Sequence, residues 1–179
     1  MSTVQSGRYV IDPTHSRIGF VARHAMITKV RGQFNDFAGE ATIDVENPAA
    51  SAASVTIQVA SVDTRNEQRD GHLRTNDFFE AETYPTITFT STDVSRDGDI
   101  WRVTGDLTIK STTKPVTFDA EFTGAATDPF GNARIGFEGS TVINRTDWGV
   151  VWNAPLETGG VLVSEKITLE LELSAIKAA

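Results

Sequence analysis

Trp101-Arg102-Val103-Thr104-Gly105-Asp106-Leu107-Thr108-Ile109 alternates without a fault. Trp101, Val103, Gly105, Leu107 and Ile109 share one face, and Arg102, Thr104, Asp106 and Thr108 share the other. That is the period of two of a strand with one buried face. Just before it, Arg96-Asp97-Gly98-Asp99 reads as a hairpin turn, because Asp-Gly tolerates the positive φ that such turns need. Lys110 to Lys114 turns the chain, and Val116, Phe118, Ala120 and Phe122 then alternate with Thr117, Asp119, Glu121 and Thr123. Three consecutive signals of this kind predict an antiparallel meander.

The same period extends to both ends of the chain. Arg8 to Asp12 is a short strand stopped by Pro13, and Arg17 to His24 is a better one, with Ile18, Phe20, Ala22 and His24 on one face. Met26 to Val30 lacks a clear period and reads as a turn or one helical turn. Gln33 to Val45 is a long strand with a fault: Phe34 and Phe37 are out of phase, and a β-bulge near Asn35 to Gly39 would repair it. Val55, Ile57 and Val59 give the next strand, and Ile87 and Phe89 open another that reaches Val94. Ile135, Phe137, Gly139, Thr141 and Ile143 make the penultimate strand. A loop from Asn144 to Gly160 carries Trp148 and Trp152. The last strand puts Val161, Val163, Ile167, Leu169, Leu171 and Leu173 on one face.

One stretch breaks the period. Val62 to Phe89 holds the densest charge, a histidine and the pair Phe78-Phe79. We read it as a helical plug at one end of a barrel. Thr64 with Glu67 fits a capping box, Asp70 and Arg74 share a helix face as a candidate ion pair, and Gly71 is either a cost or a mark of close packing. The fold expected is all-β: about eight antiparallel strands closed into one barrel, with one short helical plug, over residues 1–179 as a single domain. Closure covers the apolar faces and removes exposed edges.

Composition excludes several functions. Net charge is −8, which disfavours nucleic acid, whose phosphates demand a basic surface. Cysteine is absent, so disulfides and thiolate chemistry are excluded. No apolar run reaches the length of a membrane span. Met1 to Gly7 has no basic segment leading into an apolar run, so no signal peptide is expected and the cytoplasm is the default compartment.

Eight strands can close over a packed core or over a cavity. Phe20, Phe34, Phe89, Leu107, Phe118, Phe122, Phe137 and Leu169 are the large inner-face candidates, and Ala22, Gly105, Ala120 and Gly139 lie in the same phase. Small residues pointing inward would leave room for a long apolar ligand; interdigitated with large ones they would fill the core. The chemistry is thin. His15, His24 and His72 lack metal-ligand spacing, and no nucleophile elbow or phosphate-binding loop is present. Arg69, Asp70, His72 and Arg74 either anchor the plug or hold a polar head at the barrel mouth.

Five segments carry a family resemblance: Asp12-Pro13-Thr14-His15-Ser16; Gly32-Gln33-Phe34-Asn35-Asp36-Phe37; Arg69-Asp70-Gly71-His72-Leu73 with Asp77-Phe78-Phe79 and Tyr84-Pro85; Gly105-Asp106-Leu107-Thr108-Ile109; and Asn144-Arg145-Thr146-Asp147-Trp148-Gly149 with Leu156 to Val163. The chain resembles the YceI-like family of lipid-binding proteins. The resemblance implies a lipocalin-like extended barrel that sequesters a polyisoprenoid, an isoprenoid quinone or a similar long apolar lipid. It implies no catalytic residue, no metal and no cofactor beyond that lipid, and it makes a homodimer a candidate assembly.

The cavity expected under that resemblance is walled by the inner-face residues above together with Phe37 and Ile109. Leu73, Phe78 and Phe79 close it from the plug, and His24, Trp148 and Trp152 sit around the mouth. His72, with His15, Arg69, Asp70 and Arg74, fixes the plug and meets the ligand's head. Two alternatives stand beside this: an enzyme acting on a lipid in the barrel, and a packed barrel with no ligand.

Overall fold

The computed structural model describes residues 3–179. Its strands are β1 (Gly7–Ile11), β2 (Arg17–His24), β3 (Thr28–Phe34), β4 (Phe37–Ile43), β5 (Ala52–Gln58), β6 (Val62–Asp63), β7 (Thr86–Asp97), β8 (Ile100–Ile109), β9 (Thr112–Thr127), β10 (Ala133–Asn144) and β11 (Lys166–Lys177); the one α-helix is α1 (Glu67–Leu73). β1, β4, β5, β7, β8, β9, β10 and β11 pair in that order, and β1 pairs again with β11. The sheet is therefore a closed antiparallel barrel of eight strands, as the alternation predicts.

Three of the eight are broken in two. β1 and β2 lie end to end along β11: Ile11 faces Ala175, and Arg17 faces Glu172. The break between them is Asp12 and a 3-10 turn, Pro13–His15, whose Thr14 amide donates to the Asp12 carboxylate. β3 pairs β2, while β4 pairs β1. β6 pairs β3, while β5 pairs β4.

The fault in the long strand is a two-residue corner and not a bulge. Asn35 and Asp36 leave the ladder, and their amides donate to the carbonyl and the hydroxyl of Ser61. The corner shifts the phase, so both Phe34 and Phe37 are buried. True bulges sit elsewhere. The register of β7 on β8 slips between Ser91 and Asp93, and that of β10 on β9 slips between Gly136 and Phe137. The first slip brings Val94 to the buried side.

Several element boundaries differ from the sequence reading. β5 ends at Gln58, so Val59 opens a 3-10 turn instead of continuing the strand. β3 begins at Thr28, within the segment read as a turn. The Lys110-Ser111 turn is only two residues long, because Ile109 pairs directly with Thr112. β11 begins at Lys166; Val161 and Val163 lie in the loop before it and form isolated bridges, to Pro155 and to His24 at the end of β2.

Two apolar clusters form the interior of the barrel. The lower one holds Val4, Tyr9, Ile43, Val94, Trp101, Phe122 and Ile135. Trp101 stands edge-on to Phe137 at 6.4 Å between ring centroids, and Phe137 packs on Phe122 at 5.6 Å. The upper one joins strand residues such as Phe118 and Ile87 to Phe78 of the plug and Trp148 of the loop after β10. Each fully buried aromatic or aliphatic side chain contributes about 2 kcal/mol.

Candidate functional site: an apolar cavity in the barrel

The cavity lies inside the barrel and has a volume of about 320 Å³. Small inward residues leave the room. Gly105 lies under the ring of Phe89: a Cβ there would come within 2.5 Å of Phe89 Cζ. Phe20 covers Gly32 in the same way. Glycine thus lets two aromatic rings lie flat along the wall.

Of the residues expected from sequence, Phe20, Ala22, Phe34, Phe89, Leu107, Ile109, Phe118, Phe137 and Leu169 line the cavity from the strands. Leu73, Phe78 and Phe79 line it from the plug. Phe34 links the two groups, with Phe20 at 5.6 Å on one side and Phe79 at 5.9 Å on the other. Ala120 is also on the wall.

Six of the expected residues stand off the wall. Phe37 and Phe122 are buried in the two clusters behind it. Trp148 is buried, with its indole Nε1 donating to the Leu107 carbonyl at 2.9 Å. His24 is exposed at the end of β2. His72 and Trp152 pack against each other above the cavity. The His72 ring stands edge-on to Trp152 at 4.8 Å and to Phe78 at 5.1 Å. Its Nε2 is 2.7 Å from Asp77 Oδ2.

The polar cluster of the plug anchors it through internal hydrogen bonds. The capping box does not form. Asn66 caps α1 by accepting from the Arg69 amide, while Thr64 turns inward and donates both its amide and its hydroxyl to Asp70 Oδ1. Thr64 and Asp70 are buried. The Asp70–Arg74 ion pair does not form either. Arg74 donates to the carbonyls of Ala60 and Val62, and Arg69 to the hydroxyl and carbonyl of Thr64. Gly71 faces open space, so close packing does not account for it. His15 is paired with Asp12 and makes no hydrogen bond to the plug.

Among the described residues Arg145 is the one charged residue that lines the cavity, and sequence reasoning missed it. It follows Ile143 in the inward phase of β10 and opens a 3-10 turn, Arg145–Trp148. Its exposure is only 6%. Nε donates to the Ser164 carbonyl at 2.8 Å, Nη1 to Val150 at 2.7 Å and Nη2 to Val163 at 3.3 Å. Burial lowers its pKa, with Glu165 opposing from a distance. The signal was available: Thr141, Ile143 and Arg145 alternate in one phase.

A second charged group lies at the barrel's lower rim. Arg134 donates to Asp12 Oδ2 and Asp128 Oδ2, each at 2.7 Å. Hydrogen bonding from Arg134 holds both carboxyls far below the usual carboxylate range, helped by Thr14 and His15 at Asp12 and by Asn132 at Asp128. Among the described residues, no three His, Asp or Glu side chains gather in a way that could hold a metal ion. No helix there is long and apolar enough to cross a membrane.

Comparison with known proteins fits this geometry. A UPF0312 protein of Photorhabdus laumondii is 44% identical over 149 residues, covering 82% of this chain and 78% of that protein. The crystal structure of Burkholderia cenocepacia BcnA superposes with a TM-score of 0.80 at 26% identity, over 92% of this chain and 98% of that one. A domain from Saccharophagus degradans, described as polyisoprenoid binding and implicated in plant cell wall breakdown, shares the fold with a TM-score of 0.69 at 17% identity, over 97% and 100%. The YceI-like domain model matches residues 9–175. The chain belongs to the YceI-like family.

Proposed function

We propose that the barrel holds a single long apolar lipid of isoprenoid type, a polyisoprenoid or an isoprenoid quinone, and carries or stores it without chemical change. One observation carries this reading: a cavity of about 320 Å³ walled almost wholly by aliphatic and aromatic side chains. Ligand pockets of small molecules start at about this size and bind chiefly by burying apolar surface. Among the described residues no histidine and no carboxylate lines the cavity, so that wall offers no general base to a bound lipid. The Saccharophagus degradans domain of the same fold, described as polyisoprenoid binding, supports the choice of ligand class.

The test is native mass spectrometry of the purified chain, before and after incubation with isoprenoid quinones, polyprenols and fatty amphiphiles. The expected result is one adduct per chain, with masses spaced by isoprene units in the extracted lipid. A bare mass after every incubation overturns the reading. The same spectrum reports whether chains pair as a homodimer.

A further inference from the structure

The β2–β3 hairpin ends in Ala25-Met26-Ile27, and its two large residues stand in solvent: Met26 is 62% exposed and Ile27 76%. Single exposed apolar residues are ordinary; these two are neighbours and have company. The Ala25 amide donates to the Leu162 carbonyl, and the Met26 thioether lies over Gly160, where a Cβ would stand. The hairpin tip and the loop before β11 therefore form one edge, to which Val161 adds a third exposed apolar side chain. The tip is a defined turn. The Ile27 amide donates to the His24 carbonyl, Arg23 donates to the Ile27 carbonyl, and Ala25 and Met26 take φ of 51° and 63°, a conformation that a Cβ disfavours.

The surroundings of this edge are basic. Pro13 to Asn35 holds four of the chain's sixteen lysines and arginines and none of its twenty-four acidic residues. Across the hairpin Arg23 faces Lys29, and Val21 faces Arg31. These positions alternate with Phe20 and Ala22, which line the cavity, so the three cations stand outside the barrel, exposed. None of them is in an ion pair among the described residues. Lys166 at the start of β11 adds a fourth cation, against two carboxylates in the loop before it, Glu157 and Glu165. The turn between β9 and β10 has no such setting. Phe130 there is more exposed still, but Asp128 accepts from its amide, and Arg134 beside it is held by Asp12 and Asp128.

We propose that the edge of Met26, Ile27 and Val161 seats on the surface of a bilayer carrying anionic lipid, with Arg23, Lys29 and Arg31 against the headgroups. Apolar side chains at the headgroup boundary and cations beside them act together on such a surface. The chain as a whole carries −8, so the same surface repels its other sides and selects this end. Three side chains fall short of the roughly 800 Å² per partner that a stable protein interface buries, whereas a fluid surface closes around a projection. Ala22 and Val163 line the cavity, and the tip follows directly from His24, which bridges Val163. Docking thus sets this end of the cavity against the place where long apolar lipids reside. That consequence rests on the lipid-binding reading; the docking does not.

The experiment is flotation of the intact chain with vesicles free of isoprenoid lipid, made of phosphatidylcholine alone or of an equal mixture with phosphatidylglycerol. The chain is expected to float with the anionic vesicles, less with the neutral ones, and less in high salt. Met26→Ser with Ile27→Ser should weaken binding at least about tenfold. Lys29→Gln with Arg31→Gln should weaken it about fivefold for each charge removed. Phe130→Ser, at the opposite end, should change nothing. All five substituted residues are exposed, so these variants keep the fold.

No flotation with anionic vesicles overturns the proposal, as does binding by either double variant equal to that of the parent. Equal flotation with neutral vesicles overturns the role of the cations. If no form floats and the serine pair turns a dimer into a monomer, the edge is an interface between copies and the proposal falls. If the chain docks but takes up no polyprenol from vesicles that carry it, docking stands and the lipid-binding reading falls.

Discussion

Trp148 donates its indole N–H to the carbonyl of Leu107, 2.9 Å away and out of reach of solvent. The bond crosses from the 3-10 turn after β10 to the end of β8, so it pins the upper loop to the barrel wall. Trp148→Phe keeps most of the apolar bulk and removes the donor. It is expected to lower stability by about 1–2 kcal/mol, read as a fall in the urea midpoint with an unchanged slope.

The plug hangs on Asp70. Its carboxylate is the shared acceptor of the Thr64 amide and hydroxyl, and all these groups are buried. Asp70→Ala removes one partner and strands two donors, which costs about 2–3 kcal/mol. Hydrogen exchange should accelerate from residue 64 to 85 before it accelerates in β8 and β9. Uniform acceleration would show that plug and barrel open as one unit.

Ala120 lines the cavity, so the barrel has space beside it. Ala120→Trp is expected to leave the chain folded, with an unfolding midpoint near that of the parent, and to abolish uptake of a long-chain lipid. A variant that unfolds would mean that this part of the wall has no room to spare, since overpacking a filled core costs about 1–3 kcal/mol.

The clamp of Arg134 on Asp12 and Asp128 gives the fold an acid limb. Both carboxyls are held low when folded and sit near 4 when unfolded. A depressed folded pKa means stability that is present above the unfolded value and lost as pH falls below about 4 towards the folded value. Arg134→Gln should flatten the fall in stability below about pH 4. It should also lower the midpoint at neutral pH, measured by thermal melts across the range.

Much of this was written in the alternation. β8, the middle of β9 and most of β11 have one clean inner face, and Gly98 turns the chain with a φ of +61° where Asp-Gly predicted a hairpin. The plug also stood out, because no strand tolerates its pattern. Its internal bonds were less legible. The sequence paired Thr64 with Glu67 and Asp70 with Arg74; the fold instead turns Thr64 onto Asp70, because a buried carboxylate must be satisfied. The Asn35-Asp36 corner was visible only as a phase error, since what fixes it is Ser61, distant in sequence. The start of β3 was hidden because Thr28, Lys29 and Arg31 are exposed and carry no burial signal. Arg145 was hidden for the opposite reason: a charge reads as surface, and only the fold shows three carbonyls converging on it.

β11 touches β10 along one side and both β1 and β2 along the other. During synthesis the ring therefore cannot shut until this strand has left the ribosome. Until then the emerging chain presents two unpaired edges, β10 and the β1–β2 line, each able to recruit a strand from a neighbouring copy. Its exposure to misassembly ends with the arrival of twelve residues, Lys166–Lys177.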